Sequence, residues 1–411
     1  MQKASRSKKL IILSDIILFL FLYAGYIGAS FYLFYHQTGN FGGWGSDMPA
    51  YLMVVKGEDS GYDFPYPLMF LAARFFAHFS NPVIGLSVAV TLLNGLTPVI
   101  LKYWISKKID AFRHPGRLFL STAGTYLILV VSMLYPLSYL GKYNDPGPDY
   151  LYRYNGVFSP NTYHNATSIC ARPFALESFF LFGEIFEIYE QKKKWICKEY
   201  VVFSAFLCIS TLTKPSFTIV FGLMALVLMT VRLIRSKFQN TKQFFQLGIY
   251  FIPTILVLLY QYKGVFTASG ESTEKGIGIY PFLAWSQCCK NIPLSILLGA
   301  AFPLSVILFH ITVLKKNNEL YYSLLYYLFS LASLIFLYEK GWRMSHVNFA
   351  WGYVYGLFFL FTASFITVIR DCFAEDKKYR YFLPVQFALL ALHLICGIDY
   401  LRILLLGGSF S

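Results

Sequence analysis

Residues 10–35 read LIILSDIILFLFLYAGYIGASFYLFY, an apolar run of about 26 residues. Four cationic residues precede it, namely Lys3, Arg6, Lys8 and Lys9. A helix needs about 20 apolar residues to cross the hydrocarbon core of a bilayer. The run is too long for the core of a cleaved signal peptide, so we expect an uncleaved first membrane span.

The composition extends this expectation to the whole chain of 411 residues. Hydrophobic residues make up 56% of it and charged residues 14%, roughly half the charged fraction of a soluble domain. These values exclude a soluble globular protein and a disordered one. The net charge of +14 invites a nucleic-acid-binding interpretation, but the basic residues sit at the ends of apolar runs, where membrane topology places them. We therefore predict an all-α polytopic membrane protein that contacts membrane lipids and no nucleic acid.

Eleven apolar segments are interpreted as membrane spans. They are residues 10–35, 82–105, 117–139, 170–189, 199–213, 216–234, 244–262, 292–314, 319–338, 349–370 and 381–398. A further apolar stretch, 67–79, has about 13 residues and is too short to cross, so it predicts a helix lying on the membrane surface. Making it a span would turn Lys107, Lys108 and the cluster 192–194 outward, against the positive-inside bias.

The distribution of Lys and Arg predicts an N-terminus inside and a C-terminus outside. The inner loops are then short, and three outer loops are long, at 36–81, 140–169 and 263–291. We expect residues 1–411 to form a single transmembrane domain without a separate soluble domain. Function is therefore expected on the outer face, where the long loops meet the bundle.

The first outer loop carries the main candidate for chemistry. Asp47 follows a glycine-rich turn soon after the first span, in the segment Ser46-Asp-Met-Pro-Ala-Tyr51. A carboxylate on such a loop, roofed by the surface helix, can serve as a general base. The structural alternative is that Asp47 caps a short helix over Met48–Val55, with Pro49 in its first turn. The two roles are compatible, and the residues alone leave both open.

The second outer loop contains Asp145 and Asp149, separated by Pro-Gly-Pro, and later His164. The spacing of the two acids predicts a rigid polar turn rather than a metal site. The sequence Asn165-Ala-Thr167 matches a glycosylation sequon, and one match in a chain of this length is expected by chance.

Cationic side chains also fall on the predicted outer face. Arg172 opens the fourth span, Lys214 lies in a tight turn between two spans, and Arg343 shares a loop with His346. Cations at the ends of spans often only extend their charged heads to the interface. Outer-face cations run against the usual charge bias, however, so they indicate an anionic partner such as a phosphate at the bilayer surface.

Three short motifs in the first 235 residues resemble those of the GT-C superfamily of integral-membrane glycosyltransferases. That superfamily includes the protein O-mannosyltransferases, the bacterial aminoarabinose transferases and the catalytic subunit of oligosaccharyltransferase. The segment Ser46–Tyr51 resembles its first-loop acidic motif. The segment Phe64-Pro-Tyr-Pro-Leu-Met-Phe70 is similar to its His-Pro-Pro-Leu-Tyr-like segment, and Leu212-Thr-Lys-Pro-Ser216 resembles its recurrent Thr-Lys-Pro turn.

The resemblance implies a GT-C-like fold and an inverting sugar transfer, on the non-cytoplasmic face, from a polyprenyl-phosphate-linked donor. Asp47 would be the general base on the hydroxyl of a glycan, lipid or protein acceptor. Arg172, Lys214 and Arg343 would hold the lipid phosphate. Tyr51 would stack on a sugar face or belong to the interfacial aromatic belt. No cofactor and no metal ligand is assigned, although a divalent cation is left open, and we expect a bacterial plasma membrane and a cell-envelope glycan.

Three other functions stay open. A surface-polysaccharide polymerase or ligase would use Arg172, Arg343, His164 and His346 in place of a carboxylate base. The single acid in the first motif, where the family often has two, keeps this alternative open. A transporter or flippase would show inverted repeats with broken helices in matching halves, and the sequence shows none. A membrane scaffold without catalysis is the last alternative, and the polar outer loops argue against it.

Overall fold

A computed structural model of the chain describes residues 2–39, 42–136, 155–192, 194–267, 276–375 and 377–408. The helices are α1 (Gln2–Gly39), α2 (Met48–Lys56), α3 (Leu68–His78), α4 (Pro82–Lys108), α5 (Leu118–Val130), α6 (Asn155–Phe158), α7 (Ala166–Ile188), α8 (Lys198–Thr213), α9 (Ser216–Arg235), α10 (Thr241–Gly248), α11 (Ile252–Thr267), α12 (Leu283–Ser286), α13 (Ile292–His310), α14 (Asn318–Phe336), α15 (Ala350–Phe373) and α16 (Leu383–Leu405). Two short strands, β1 (Ile277–Ile279) and β2 (Leu337–Glu339), pair in antiparallel fashion with Ile277 opposite Glu339. The described part of the chain is therefore nearly all-α, as predicted.

Eight helical segments among the described residues are long and apolar enough to cross a membrane. They are Ser7–Gly39, Pro82–Lys108, Ser216–Arg235, Thr241–Lys263, Ile292–His310, Asn318–Phe336, Arg343–Phe373 and Lys378–Leu405. An α-helix hydrogen-bonds its own backbone N–H and C=O groups, which allows it to cross lipid. With eight helical segments of sufficient length, the protein is a multi-pass α-helical membrane protein.

Three of the eleven predicted spans are too short or too polar to count among these eight segments. They are 117–139, 170–189 and 199–213. Helix α5 ends at Val130 rather than near residue 139, because the backbone turns extended at Val131 (ψ 141°) and the Ser132 N–H bonds to the His393 carbonyl oxygen. Helix α8 has only 16 residues, and the 23 residues of α7 include Arg172 and three glutamates. A helix lies in each of the eleven segments, but eleven crossings and their orientation stay a prediction.

Helix α15 occupies the centre of the bundle. Its apolar stretch is buried along its whole length, and it packs against α9, α13 and α14. A helix that is hydrophobic on all sides is expected in the interior. Helix α1, in contrast, exposes apolar side chains such as Leu13 (54%) and Phe21 (75%), which suits contact with lipid chains.

Ion pairs between helices mark one end of the bundle. Lys107 and Lys108 of α4 pair with Glu184 of α7, and Glu319 of α14 pairs with both Lys108 and Arg370 of α15. This is the end that the distribution of basic residues predicts to face the cytoplasm. The first outer loop lies at the other end of α4.

The predicted surface helix 67–79 is present as α3, which has 11 residues and is too short to cross. It packs closely on α4, where Gly85 lies against Ala77 and leaves no room for a side chain. Helices α2 and α3 share a hydrophobic cluster, including Tyr51 and Phe70, with the ends of α1, α4, α7 and α16. This cluster holds Asp47, at the start of α2, over that end of the bundle.

Parts of the predicted outer loops fall outside the described residues. These parts are residues 40–41 of the first loop, 140–154 of the second and 268–275 of the third. The predicted polar turn with Asp145 and Asp149 is among them. In the third loop, the described residues form β1 and the short helix α12, and β1 pairs with β2 beside the start of α15.

Candidate active site

Three separate segments meet at the end of the bundle that α2 and α3 cover. They are the start of α2 with Asp47, the start of α7 with Asn165, and the turn between α8 and α9 with Lys214. The Asp47 N–H donates to the His164 carbonyl oxygen at 2.9 Å, which ties the first segment to the second. Lys214 Nζ donates to Asn165 Oδ1 at 2.9 Å, which ties the third segment to the second.

The Asp47 side chain does not cap helix α2. Ser46 Oγ accepts from the Met48 N–H at 3.2 Å, and the Asp47 carboxylate makes no capping hydrogen bond. The capping interpretation is therefore wrong, although Pro49 does lie in the first turn. Asp47 Oδ2 instead accepts from Asn165 Nδ2 at 2.7 Å, while Oδ1 accepts no hydrogen bond from any residue that the structure describes. One carboxylate oxygen is thus held and the other is available to a substrate.

The Asn165 side chain is the hub of the polar network. Its Oδ1 caps α7 by accepting from the Ser168 N–H at 3.0 Å, and it also accepts from Thr167 Oγ1 at 2.9 Å and from Lys214 Nζ. Lys214 donates to Thr167 Oγ1 as well, at 3.2 Å. Because the Asn165 amide is buried and occupied on both sides, the sequon match reflects a helix cap rather than an accessible glycan acceptor.

Lys214 is buried among aromatic rings. Its Nζ lies 4.9 Å from the centre of the Trp351 ring and 6.0 Å from that of Tyr66. Burial lowers the pKa of Lys214 to about 8, against the opposing effect of the Asp47 and Glu339 carboxylates. The ammonium is therefore present near neutral pH, where it can bind an anion, and is lost in mildly alkaline solution.

Tyr51 contacts the Asp47 carboxylate with its hydroxyl group, and its ring is enclosed. Its ring is buried edge-on against Phe64 (5.1 Å) and Phe70 (5.7 Å). Its hydroxyl lies 3.4 Å from both Asp47 Oδ2 and Thr167 Oγ1. The prediction that Tyr51 stacks on a sugar face is therefore wrong, since the ring is enclosed. Burial raises the pKa of the Tyr51 hydroxyl well above 10, which keeps it a hydrogen-bond donor.

A cavity of about 460 Å³ opens beside Lys214. Its polar end is formed by Lys214, Glu339 and Arg343, and much of its wall is apolar, with Ile219 of α9 and Leu259 of α11. Ile219 and Leu259 are 49% and 58% exposed, so the apolar wall continues onto the outer surface of these two helices. This pattern suits an amphiphile with an anionic head and an apolar tail.

Arg343 and His346 are both predicted as ligands, and the structure separates them, since Arg343 lines the cavity and His346 does not. Arg343 faces the Glu339 carboxylate, with Nε 3.3 Å from Oε2 and Nη2 3.4 Å from Oε1. Asn348 Nδ2 donates to the same carboxylate at 2.5 Å. His346 is not a lining residue, and its ring lies 5.8 Å from that of Tyr62. Arg343 therefore reaches the cavity with its charge opposed by Glu339, while His346 faces the connection between α2 and α3.

Arg172 and His164 do not contribute charge to the cavity. Arg172 is buried, donates through Nη1 to Asn161 Oδ1 at 2.9 Å and lies over the Phe358 ring at 4.9 Å. It braces the chain before α7, which corrects its prediction as a phosphate ligand. The His164 ring packs 5.1 Å from the Trp351 ring, and burial lowers the pKa of His164 to about 4. His164 is therefore neutral near pH 7 and supports the site through its backbone carbonyl group.

Sequence reasoning missed Asn165, Trp351 and Glu339, which complete the site. Asn165 carries one recognisable signal, because asparagine before an Ala-Thr-Ser helix start is a capping pattern. Trp351 and Glu339 have no local signal, since the packing of α14 against α15 brings them to Lys214. Within the described ranges no three or more His, Cys, Asp or Glu side chains are grouped so as to hold a metal ion.

Comparisons with protein-family models, with curated proteins and with solved structures found no match for this chain. The three segments that resemble GT-C motifs nevertheless come together, since each contributes one residue beside Asn165 or the cavity. These residues are Asp47, Tyr66 and Lys214.

Proposed function

We propose that this protein is a glycosyltransferase that moves a sugar from a polyprenyl-phosphate-linked donor to an acceptor hydroxyl group. The observation that carries the proposal is the position of the Asp47 carboxylate and the Lys214 ammonium on the two sides of one amide group, with Lys214 also lining a cavity that has a charged end and an apolar wall. This arrangement supports the proposal because it offers a carboxylate for a base, an ammonium for a phosphate ligand and an apolar wall for a lipid chain.

The donor phosphate binds at the polar end of the cavity in this proposal. Lys214 and Arg343 supply the positive charge, and the lipid chain leaves along Ile219 and Leu259, between α9 and α11. Moving one CH₂ group from water into an apolar groove contributes about 0.8 kcal/mol to binding, but this gain applies only to a ligand that arrives from water. A polyprenyl chain enters this groove from the bilayer rather than from water, so the groove selects the lipid mainly by shape.

Asp47 acts as the general base. Its Oδ1 takes the proton of the acceptor hydroxyl, whose oxygen forms the new bond to the anomeric carbon. The bond between that carbon and the phosphate oxygen breaks, and its electron pair stays on the phosphate, where the two cations stabilise the charge. Attack on the face opposite the phosphate inverts the anomeric configuration.

The test measures transfer from radiolabelled polyprenyl-phosphate sugars in membranes that contain wild type, Asp47→Asn or Asp59→Asn. Loss of a general base lowers the rate by about 10²–10⁴-fold, so Asp47→Asn should be nearly inactive at an equal protein level. Asp59 lies exposed in the same loop and, among the residues that the structure describes, accepts a hydrogen bond only from the Gly61 N–H, so Asp59→Asn should retain wild-type transfer.

Two results would count against this function. Equal transfer by wild type and Asp47→Asn would remove Asp47 as the base. Absence of transfer by wild type, across a panel of polyprenyl-phosphate sugars and glycan, lipid and protein acceptors, would remove the reaction itself.

We place the enzyme in a bacterial plasma membrane, where the product would be a cell-envelope glycan, and labelling of envelope fractions identifies that acceptor.

The polymerase or ligase alternative has less support from the geometry. It needs cationic or basic Arg and His side chains at the reacting atoms. Arg172 braces Asn161, and His164 is neutral near pH 7 because burial lowers its pKa to about 4. No described feature favours a transporter.

A further inference from the structure

The orientation of the Asn165 amide group follows from its neighbours. The Ser168 N–H and the Lys214 ammonium can only donate, so the oxygen of the amide must face them. The nitrogen then faces the Asp47 carboxylate, which can only accept when ionised. A flipped amide would place donor against donor on one side and acceptor against acceptor on the other.

Asn165 keeps two opposite charges from pairing directly. Asp47 Oδ2 is 2.7 Å from Asn165 Nδ2, and Lys214 Nζ is 2.9 Å from Asn165 Oδ1. Asp47 and Lys214 form no ion pair with each other in the part of the chain that the structure describes. In a site of low polarity, two such charges attract strongly, so a fixed dipole between them is needed to hold this arrangement.

We propose that Asn165 is a positioning residue whose amide group separates the Asp47 carboxylate from the Lys214 ammonium, so that the first stays free for the acceptor and the second for the donor phosphate. The inference rests on the proposed function, which it deepens. A carboxylate paired with lysine would be a poorer base, and a lysine paired with a carboxylate would be a poorer phosphate ligand. Asn165 prevents both losses while it caps α7.

Other charged and titratable groups surround this pair. They are His164 before α7, Tyr51 of α2, Tyr66 before α3, and Glu339, Arg343 and His346 between α14 and α15. Of these groups, only Tyr51 hydrogen-bonds to Asp47 among the described contacts, at 3.4 Å. The 2.7 Å bond from Asn165 is therefore the main restraint on the Asp47 carboxylate.

The test uses substitutions that keep the helix cap. Aspartate and serine cap helices as well as asparagine does, so Asn165→Asp and Asn165→Ser should both fold. Asn165→Asp places a second carboxylate against Asp47, and two such groups share a proton. The acidic limb of its pH–rate profile should therefore move to higher pH by about 1–3 units. Asn165→Ser is too short to separate the charges and should lose transfer across the whole pH range.

Asn81 supplies the matched control. It caps α4 by accepting from the Ile84 N–H at 3.0 Å, and it is exposed. Asn81→Asp and Asn81→Ser make the same chemical changes at a cap outside the site. Both should keep the wild-type pH–rate profile.

A second measurement does not depend on transfer. Trace acetylation of the full-length protein in detergent, across pH and with quantification by mass spectrometry, reports the protonation of Lys214 relative to exposed Lys56. Direct pairing with a carboxylate should raise the midpoint of Lys214 by about 1–3 pH units in Asn165→Asp and Asn165→Ser. The Asn81 variants should keep the wild-type midpoint.

The two readouts separate the two proposals. An unchanged Lys214 midpoint in Asn165→Ser, which adds no charge of its own, would overturn the positioning role, even if wild type transfers sugar. Shifted midpoints in a protein that transfers no sugar would support the charge separation and overturn the proposed function. If Asn165 were only a helix cap, Asn165→Ser would keep the wild-type Lys214 midpoint and wild-type transfer, whereas the carboxylate introduced by Asn165→Asp lies against Lys214 and raises its midpoint in either case.

Discussion

Replacing Lys214 with methionine should reduce donor use strongly while leaving the fold intact. The side chain lies buried beside Trp351, and its Nζ faces the polar end of the cavity. A hydrogen bond from a charged group contributes about 1.5–3 kcal/mol. Loss of that bond to the donor phosphate therefore lowers kcat/KM by about 10–150-fold.

The stability of Lys214→Met should depend on pH differently from that of wild type. Burial opposes the charged form, which lowers the pKa of Lys214 from 10.5 to about 8. In the unfolded chain the lysine holds its proton up to about 10.5, so between pH 8 and 10.5 the unfolded state binds more protons. Wild-type stability therefore rises with pH in this window. The methionine variant should lack that rise, which thermal unfolding in detergent at pH 7 and pH 10 would measure.

The pH dependence of catalysis gives a sharper assay of the same residue. The free enzyme loses the Lys214 ammonium as the pH passes about 8, so kcat/KM for the donor should fall on the alkaline side near that pH. Lys214→Arg stays charged at any accessible pH, and its residual activity should lack this limb. An alkaline limb near pH 8 that persists in Lys214→Arg, or a wild-type kcat/KM in Lys214→Met, would refute the role of Lys214.

Three further predictions concern the surroundings of the site and the packing of the bundle. Burial lowers the pKa of His164 to about 4. Between pH 6.5 and 4 the unfolded state therefore binds more protons than the folded state, and stability should fall as the pH falls through this range. His164→Phe should weaken this loss in thermal unfolding and should retain transfer at pH 7. Glu339→Gln should remove the ion pair between Glu339 and Arg343. An ion pair of about 0.4–1 kcal/mol corresponds to a KM for the donor that is about 2–5-fold lower in the variant. An increased KM would show instead that Glu339 helps to hold the donor. Gly397→Ala should lower the free energy of unfolding by about 1–3 kcal/mol, because the new Cβ would overlap the Val130 carbonyl group. Gly222 has open space around it, so Gly222→Ala should be neutral or stabilising in the same thermal unfolding experiment.

Apolar segment lengths predicted the helices well because burial in lipid acts on every residue of a span. They failed where a polar contact from a distant part of the chain ends a helix. Helix α5 is the clearest case, since Asn161 Nδ2 donates to the Ile128 and Val131 carbonyl oxygens. Those bonds replace helical ones, and Asn161 follows Val131 by 30 residues. No local pattern around Val131 could have indicated them.

The site was predicted only in part, and the reason is similar. Asp47 stands out in the sequence because it follows a glycine-rich turn soon after the first span, and Lys214 because outer-face cations run against the usual charge bias. Their surroundings do not stand out, because Asn165 and Trp351 acquire their roles only when α7 and α15 pack together. The local rule for Asp47 also misled, since the Asp47 side chain bonds to Asn165 rather than to the first turn of α2, and Ser46 Oγ accepts from the Met48 N–H instead.

The charges around the cavity are arranged so that the proposed site would hold a donor and still favour the proposed reaction. Lys214 and Arg343 are each opposed by a carboxylate, since Asp47 lies across Asn165 from Lys214 and Glu339 pairs with Arg343. The intact donor is a phosphodiester with one negative charge, so it gains only modest attraction from this balanced set. As its bond to the sugar breaks, the phosphate approaches the −1.5 to −2 charge of a monoester, while Asp47 becomes neutral by taking the acceptor proton. The two cations then face more negative charge at the leaving phosphate and less at the base, so they bind the transition state of the proposed reaction better than its ground state.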